Sequence, residues 1–468
     1  MNLHVITENW GEGSSDANGQ EGMGIPAASG DATWVHTFFS QIFWQNSQGG
    51  GSFAPVPVAS TSVGATGSYS WNSTAMAADV QSWLDNPGTN FGWMMIGNES
   101  TNMTAKRFDS REQTTTSVRP RLTIEYAAVC PPNTVCNTND SGPESLRDVV
   151  ANASPGDSVK FQIPTPGPYS IPLLTTIFVN KQLHIDATTQ PGYSGTPIIQ
   201  LDGTGMTSNS ALLFSGSNGS FRGFVMHSFP NANVLNVTGS NHVFENNYFG
   251  TDTTGTVGIG NSQQALTMSG SGNVVENNVF AANATGVNLI GGSNNHIKNN
   301  KIGTDVTGTQ SLGNTATGVI VGGSVSGSFI GGTLPGKGNI IAYNGGRGVS
   351  VTSQSGGNAI LGNSIHSNNA LGIDLGSDGV TPNDFGDPDQ GPNNLQNFPD
   401  LFLGRNIGGG QIHVGGYIDG EDNQQYRVEL FGDSLPDPTG HGEGRNFIAA
   451  FNVTASGFGF ADIDTILN

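Results

Sequence analysis

The stretch Asn273-Val-Val-Glu-Asn-Asn-Val-Phe280 decides the fold, because close copies of it recur along the chain. Asn295-His-Ile-Lys-Asn-Asn-Lys-Ile302 follows 22 residues later, and Asn358-Ala-Ile-Leu-Gly-Asn-Ser-Ile365 repeats the pattern. An earlier copy ends in Asn246-Asn-Tyr-Phe249. Periods of about 20–50 residues are typical of solenoids, in which each repeat packs on the next.

Within each copy apolar residues alternate with polar ones, which predicts short strands with one buried face. A right-handed parallel β-helix accounts for both the period and the alternation, since its coils stack inward residues along one axis. Asn at a fixed place can adopt a left-handed backbone and stack its amide on the next Asn. We therefore expect a structural asparagine ladder, with Gly286, Gly348 and Gly372 at tight corners.

The composition supports an all-β protein of several domains. Only 11% of the 468 residues are charged, against a usual figure of about 25%, and 69 are glycine. The net charge of −20 disfavours DNA, RNA and anionic membranes as partners, because phosphate binding needs clustered Lys and Arg. The sequence contains no apolar run of about 18 residues, so we expect no membrane span.

Three domains are predicted. Residues 1–126 contain all six tryptophans, a helix at Met76–Trp83 and strands at Phe91–Ile96 and Arg121–Tyr126, which favours a jelly-roll-like β-sandwich. Residues 127–397 form the β-helix. Residues 398–468 alternate as strands and predict a small β-sandwich, complete or cut short at Asn468.

Segments of the first domain resemble a known module. They are Trp10-Gly-Glu-Gly13, Asp79–Trp83, Asn90–Trp93, Lys106–Glu112 and Arg119–Leu122. Together they resemble the DNRLRE-type module, some members of which are classed as carbohydrate-binding. Such modules carry further strands before the first of these segments, so the resemblance implies an incomplete sandwich from a truncated or internally started reading frame. It also accounts for the absence of an export signal at the N-terminus.

The β-helix resembles a family as well. Cys136-Asn-Thr-Asn-Asp-Ser-Gly-Pro-Glu-Ser-Leu-Arg147 is similar to the N-terminal cap of the CSLREA-type β-helix family, and Thr189–Gly195 and Gly372–Asp384 are similar to its recurring segments. The resemblance implies a secreted or surface-exposed bacterial protein without an assigned activity. Cys130 and Cys136 would form a disulfide in an exported protein and remain free thiols otherwise.

Two insertions of equal length, Gly250–Asn261 and Gly303–Asn314, predict matching hairpin loops that carry Asp252 and Asp305. Polysaccharide hydrolases use pairs of carboxylates, and lyases need a base. The candidate catalytic residues are Asp252 and Asp305 on the loops, with a charged row on one sheet formed by Glu245, Glu276 and Lys298. In the alternative, each Asp bonds its own turn and the row is a solvated face.

Five aspartates lie close together in a loop rich in Gly, Pro and Asn: Asp374, Asp378, Asp384, Asp387 and Asp389. Several carboxylates on a backbone that turns sharply are what Ca²⁺ requires, so this loop is the candidate calcium site. The alternative is an acidic loop that caps the helix and bonds its own turns.

Trp10, Trp34 and Trp44 are the candidate sugar-binding residues, because a flat aromatic ring covers the apolar face of a sugar. The alternative is core packing, which we expect for Trp83 and Trp93.

The leading hypothesis is an extracellular carbohydrate-binding or adhesion protein, with a polysaccharide or cell-surface glycan as partner. The first alternative is a polysaccharide lyase or glycoside hydrolase acting in the groove of the β-helix. The second is a structural stalk without a site, since one solenoid fold supports many functions.

Overall fold

A computed structural model describes residues 1–15, 25–45, 50–98, 100, 104, 106–111, 113–125, 130–352 and 355–467. The chain divides into two compact units, Met1–Ala128 and Val129–Asn468.

The first unit combines small antiparallel sheets with a helix. Its three-stranded sheet consists of Asn2–Val5, Ala59–Ser60 and Trp93–Ile96, and its hairpin of His36–Phe38 and Ile42–Phe43. The helix spans Thr74–Asp85, two residues longer at each end than predicted. At its N-terminus the hydroxyl of Ser73 accepts a bond from the Met76 amide, and at its C-terminus the Asn86 amide donates to the carbonyl of Ser82. Short 3-10 turns lie at Pro87–Thr89 and Thr116–Val118.

The strand expected at Arg121–Tyr126 is wrong over residues 121–125, which are irregular, and Tyr126 lies outside the described residues. The jelly-roll arrangement of this unit stays a prediction.

The second unit contains three parallel sheets, and each coil adds one strand to each sheet in turn. The nine strands of the first sheet are Thr134–Val135, Ser158–Phe161, His184–Asp186, Ser220–Arg222, Val243–Glu245, Val274–Glu276, His296–Lys298, Phe329–Gly331 and Ala359–Leu361. The eight of the second are Tyr169–Pro172, Ile199–Asp202, Phe224–His227, Tyr248–Phe249, Val279–Phe280, Lys301–Ile302, Ile340–Ala342 and Ser364–His366. The eight of the third are Ile177–Val179, Ser210–Phe214, Asn233–Val237, Gln264–Met268, Thr285–Leu289, Val319–Val321, Val349–Val351 and Ile373–Leu375.

The core of the β-helix is a continuous stack of inward side chains. In the strand Val243–Glu245 only the central Phe244 is fully buried, as the alternating sequence predicts. Phe249 and Phe280, one coil apart, stack with ring centroids 4.6 Å apart and an angle of 9° between the rings. Stacked apolar side chains of this kind, repeated from coil to coil, bury the apolar surface that stabilises the solenoid.

A buried asparagine ladder holds the corner between the first and second sheets. Asn278 accepts a bond from the Asn247 amide at 3.0 Å and donates its own amide to Asn300 at 3.0 Å. The preceding residues Asn246 and Asn277 have left-handed backbones, with φ of 56° and 60°. The predicted ladder is therefore confirmed, and its full set of rungs is Asn247, Asn278, Asn300, Asn339 and Asn363.

Two further ladders hold the other corners, so all three are built alike. The rungs before the first sheet are His242, Asn273, Asn295, Ser328, Asn358 and Asn393. Those between the second and third sheets are Asn261, Asn283, Asn314, Asn344 and Asn368.

Two of the three glycines expected at corners, Gly286 and Gly348, lie at a close approach between coils, whereas Gly372 faces Glu443 of the C-terminal domain. A Cβ on Gly286 would lie 2.7 Å from the carbonyl oxygen of Gly318, and one on Gly348 would lie 2.6 Å from that of Gly372. Any larger residue would push the coils apart at the start of the third sheet.

Leu146–Asn152 forms a short helix that covers the N-terminal end of the β-helix. Ser145 caps it, and Leu146, Val149 and Val150 are buried in the common core. Cys130 and Cys136 form a disulfide next to the first strand of this end.

The C-terminal strands form the expected small β-sandwich. One sheet consists of Asp400–Gly408, Gln411–Asp419 and Phe460–Leu467, and the other of Gln425–Gly432 and Asn446–Thr454. Val414 and Ile463 of the first sheet pack against Val428 and Leu430 of the second.

The sandwich closes the open end of the β-helix by continuing its hydrogen bonds. The carboxylate of Glu443 accepts bonds from the amide and the side chain of Asn368, at 3.2 and 2.8 Å, and so forms the last rung of that ladder. The Ile365 amide donates to the carbonyl of Gly444 at 2.8 Å. The amide of Gly362 donates to Glu429 at 2.7 Å. Without these partners, the last coil would present unpaired backbone groups.

We expect the substitution Asn278→Ala to destabilise the β-helix by about 2–4 kcal/mol, because it leaves buried donors and acceptors on two coils without partners. Equilibrium denaturation followed by circular dichroism measures the loss. The control is Asn236→Ala, on the half-buried outer face of the third sheet. Equal losses in the two variants would contradict a ladder that stabilises the fold.

A second prediction concerns Glu443, whose pKa is raised mainly by burial and further by Asp437, although bonds from Asn368 oppose the rise. Protonated Glu443 contributes its full stability to the folded protein below the usual pKa of a glutamate. This contribution is lost as pH rises through the raised pKa of the folded state, because the buried carboxylate then becomes charged. Glu443→Gln should therefore have a thermal midpoint at pH 7 at or above that of the parent, with the difference vanishing near pH 4. Glu443→Ala, which removes the acceptor, should be less stable at both pH values. A fall in midpoint for Glu443→Gln at pH 7 as large as that for Glu443→Ala would refute this account.

Candidate functional site

A charged row follows the outer face of the first sheet. Glu245, Glu276 and Lys298 stand in register on successive strands, as the repeat predicts. The row continues to Arg222 and Asp186 on the two preceding strands.

Ion pairs join most of this row. Arg222 contacts Asp186 at 2.5 Å and Glu245 at 3.2 Å, and Lys298 contacts Glu276 at 3.1 Å. Lys337 approaches Glu276 from a neighbouring loop at 3.7 Å. Burial raises the pKa of Asp186, but bonds from Arg222 and Thr188 outweigh it, so that pKa lies below its usual value. Glu245 and Glu276 are the one place where two like charges are neighbours in the row from Asp186 to Lys298.

An apolar and aromatic row runs beside the charges on the same face. His296 pairs in register with Val274 on one side and with Phe329 on the other. The rings of His296 and Phe329 stack with centroids 4.9 Å apart and 7° between the planes. Phe329 is 40% exposed, so a flat aromatic surface lies next to Glu276 and Lys298.

Sequence reasoning missed several members of this face. Asp186 and Arg222 occupy the same repeat position as the named Glu245, and Phe329 occupies that of His296, which was not named as a candidate. Their coils lack the Asn-Asn signature, so alignment of the strands would have been needed to find them. Tyr193 lies in the segment Thr189–Gly195, which the sequence singled out only for its resemblance and not for a role on this face. Its pKa is raised by burial and then by Asp186 and Glu245, with Arg222 opposing.

Asp252 and Asp305 lie on matching hairpins, but each carboxylate bonds its own turn. Asp252 accepts from Thr254 at 2.8 Å, and Asp305 accepts from Thr307 at 2.8 Å and from the Gln310 amide at 3.1 Å. Burial raises the pKa of Asp305, but these bonds outweigh it and hold the pKa below its usual value. The alternative interpretation, turn stabilisation, therefore describes what these side chains do in the structure.

The two hairpins are placed away from the charged row. The hairpins follow strands of the second sheet, whereas the residues of the row are the last residues of strands in the first sheet. The amide of Val306 donates to the carbonyl of Gly255 at 2.9 Å, so the hairpins stack on each other. Val306 also packs against Tyr248 and Val279 and covers the second sheet. Asp252 and Asp305 therefore belong to loops of the second sheet and Glu245, Glu276 and Lys298 to strands of the first, and among the described residues no hydrogen bond or ion pair joins the two groups.

The five aspartates of the candidate calcium loop separate into two groups. Asp384, Asp387 and Asp389 bring one carboxylate oxygen each to within 4.8 Å of one another. Asp374 is buried and pairs with Arg347 instead, and Asp378 is exposed on the following turn. Only the last three could share an ion.

The three candidate tryptophans differ in what they present. Trp34 is 65% exposed, whereas Trp10 is 36% exposed and donates its ring N–H to the carbonyl of Phe91 at 2.9 Å. Trp44 is only 5% exposed and donates to the carbonyl of Thr33 at 2.8 Å, so its ring offers no face to a sugar. Trp83 and Trp93 pack against each other with centroids 4.7 Å apart.

Three stacked parallel sheets with one strand of each in every coil define a right-handed parallel β-helix protein. Residues 176–384, just under half of the chain, match the family model described as "Periplasmic copper-binding protein (NosD)". No curated protein matches the chain.

Two chains of solved structures match this one. One of them is an alginate lyase from Paenibacillus sp. str. FPU-7, with 12% identity, 52% of this chain and 99% of that chain covered, and a TM-score of 0.16. A likeness at that TM-score supports no functional argument. Across the described ranges, the structure contains no helix that is both long and apolar enough to cross a membrane.

We expect Arg222→Met to destabilise the protein by about 1–3 kcal/mol at pH 7, because it leaves Asp186 without its cation. Because the pKa of Asp186 is lowered in the folded protein, its ion pair stabilises the fold at pH values above the usual aspartate pKa of about 4. This stabilisation is lost as pH falls through the lower pKa of the folded state. The difference between the variant and the parent should therefore shrink below about pH 4. Denaturation across pH measures it, with the exposed Arg405→Met as control. A difference that does not depend on pH would contradict the pairing.

Proposed function

We propose that this protein is an extracytoplasmic carbohydrate-binding β-helix whose glycan surface is the outer face of the first sheet. The observation that carries the proposal is the stacked pair His296 and Phe329 beside Glu276 and Lys298. A flat aromatic surface covers the apolar face of a sugar ring, and the adjacent charged groups hydrogen-bond its hydroxyls. The charged positions continue from this pair along the sheet axis through Glu245 and Arg222, so the surface is elongated, which suits a linear polymer.

Binding is favoured over turnover because most charges of the row are already paired. Arg222 is shared by two carboxylates, and Glu276 has two cations beside it. A polysaccharide long enough to cross several coils would exchange some of these ion pairs for bonds to its own groups. The solenoid would then serve as the rigid scaffold of an adhesion surface.

One observation favours the second candidate, a lyase or hydrolase that uses Glu245, Glu276 and Lys298. Glu245 and Glu276 face outward on adjacent strands, in register. Adjacent strands lie about 4.8 Å apart, close to the roughly 5–5.5 Å between the carboxyl groups of retaining glycosidases.

The extracytoplasmic location rests on two supports. The disulfide between Cys130 and Cys136 belongs to an oxidising compartment, and the matched family is described as periplasmic. In the first unit, Trp34 and the partly exposed Trp10 are proposed as a further sugar contact.

Copper is a poor fit to the described residues, although the matched family is described as copper-binding. Copper sites use imidazole, thiolate and thioether ligands. Both cysteines are joined in the disulfide, and the one cluster of three or more His, Cys, Asp or Glu side chains in the described ranges consists of Asp384, Asp387 and Asp389, with no imidazole among them. These hard oxygen donors suit Ca²⁺ instead.

The test is a panel of insoluble and soluble polysaccharides, with retention and affinity measured for the full chain. We expect Phe329→Ala to weaken binding to the retained glycan about tenfold, equivalent to about 1.4 kcal/mol. The matched control is Phe178→Ala, because Phe178 is a 61% exposed aromatic residue on the third sheet. Equal effects of the two substitutions, or retention of no glycan, would contradict the proposed surface.

The same panel separates the enzyme from the binder. Reducing ends and the absorbance of unsaturated products are followed together in each sample. New reducing ends that the parent protein forms and Glu276→Gln does not would show a hydrolase and contradict the binding proposal. If the absorbance of unsaturated products rises as well, the enzyme is a lyase.

A further inference from the structure

We propose that Asp384, Asp387 and Asp389 bind a Ca²⁺ ion that locks the C-terminal sandwich onto the end of the β-helix. The site is independent of the glycan surface proposed above, and its test does not involve a sugar. It also departs from the copper chemistry in the description of the matched family.

The three carboxylates are gathered without a compensating side chain. One oxygen of each lies within 4.8 Å of the others, and none of the three takes part in an ion pair among the residues that the structure describes. Three negative charges at this separation repel one another. Such an arrangement persists when a cation occupies the space between them.

A second observation points to a ligand. One carboxylate oxygen of Asp384 and one of Asp389 are shut off from solvent and accept no hydrogen bond. An unpaired buried carboxylate oxygen is costly, and coordination of a cation removes that cost.

The backbone of the loop is already held in place by Asn397, which is 4% exposed. Its side chain accepts the Asp384 amide at 3.1 Å, and its own amide donates to Asp387 at 3.0 Å. Its side-chain N–H also donates to the carbonyls of Asp384 at 2.7 Å and Asp419 at 2.9 Å. Because Asp419 ends a strand of the sandwich, the ligand loop is tied directly to that domain.

The surroundings suit calcium. Asp387 and Asp389 line a cavity together with Asn394 and Glu421, which offers further oxygen donors. Ca²⁺ takes about 6–8 oxygen ligands at roughly 2.3–2.6 Å in flexible geometry, whereas Mg²⁺ demands a near-ideal octahedron. An irregular loop of carboxylates and amides therefore favours the larger ion.

The first experiment measures metal binding to the full chain after treatment with EDTA. Isothermal titration with Ca²⁺ gives the affinity, and Tb³⁺ reports the location. The hydroxyl of Tyr426 accepts a hydrogen bond of 2.7 Å from the amide of Glu421, which lines the cavity. Excitation of this tyrosine should therefore sensitise the luminescence of Tb³⁺ bound there. The variants are Asp384→Asn and Asp389→Asn, and the control is Asp378→Asn, which changes an exposed aspartate of the same loop.

We expect one Ca²⁺ to bind, Ca²⁺ to quench the Tb³⁺ signal by competition, and the Kd to rise at least about tenfold in both variants but not in the control. In EDTA, Asp389→Asn should melt at or above the parent, because it removes repulsion, yet gain nothing from Ca²⁺. This second measurement shows that the variant is folded. Binding of Cu²⁺ but not of Ca²⁺, or Ca²⁺ binding that Asp384→Asn and Asp389→Asn leave unchanged, would overturn the proposal.

Discussion

The structure depends on one requirement: every coil must find hydrogen-bond partners for the backbone amides buried at its corners. Asparagine meets it because its side chain is short, accepts from the amide one coil before, and donates to neighbouring carbonyls at the same time. Asn278 does all of this, with bonds to Asn247, Asn300 and the carbonyl of Phe244. A buried amide left without a partner is costly, so the ladders set the register of each coil on the next.

That register creates the surfaces of the protein. Once the coils are in step, equivalent outward positions form straight rows, and so Glu245, Glu276 and Lys298 become neighbours although about twenty to thirty residues separate them along the chain. The same register stacks His296 on Phe329. Rows of this kind are the natural binding surface of a solenoid, because a linear ligand meets similar groups at regular intervals.

The ladders also explain how the solenoid ends. A coil without a successor would leave its amides unpaired, and Glu443 of the sandwich takes the place of the missing rung beside Asn368. Asn393 does the same for Asn358. The loop between the last strand of the β-helix and the first strand of the sandwich carries Asp384, Asp387 and Asp389. The proposed calcium site therefore lies where the sandwich closes the β-helix.

The repeat made much of this predictable and left specific parts open. The charged row followed from the period, since equivalent positions in equal coils must share a face. The period did not show that Asp252 and Asp305 follow strands of the second sheet, whereas the charged row lies on the first. The period also did not show that Arg347, a residue distant in the chain, pairs with Asp374, or that Asp384, Asp387 and Asp389 lie together.

By itself, the sequence determined the parallel β-helix, its coil length, its buried asparagines and the sandwich that follows, since these depend on local periodicity and on the chemistry of single residue types. Only the tertiary structure decided which charges pair, that Trp44 is buried while Trp34 is exposed, and which aspartates meet. The physical reason is that periodicity specifies the face on which a side chain lies. Its partners come from other coils and loops, and their approach is set by the packing of the whole chain.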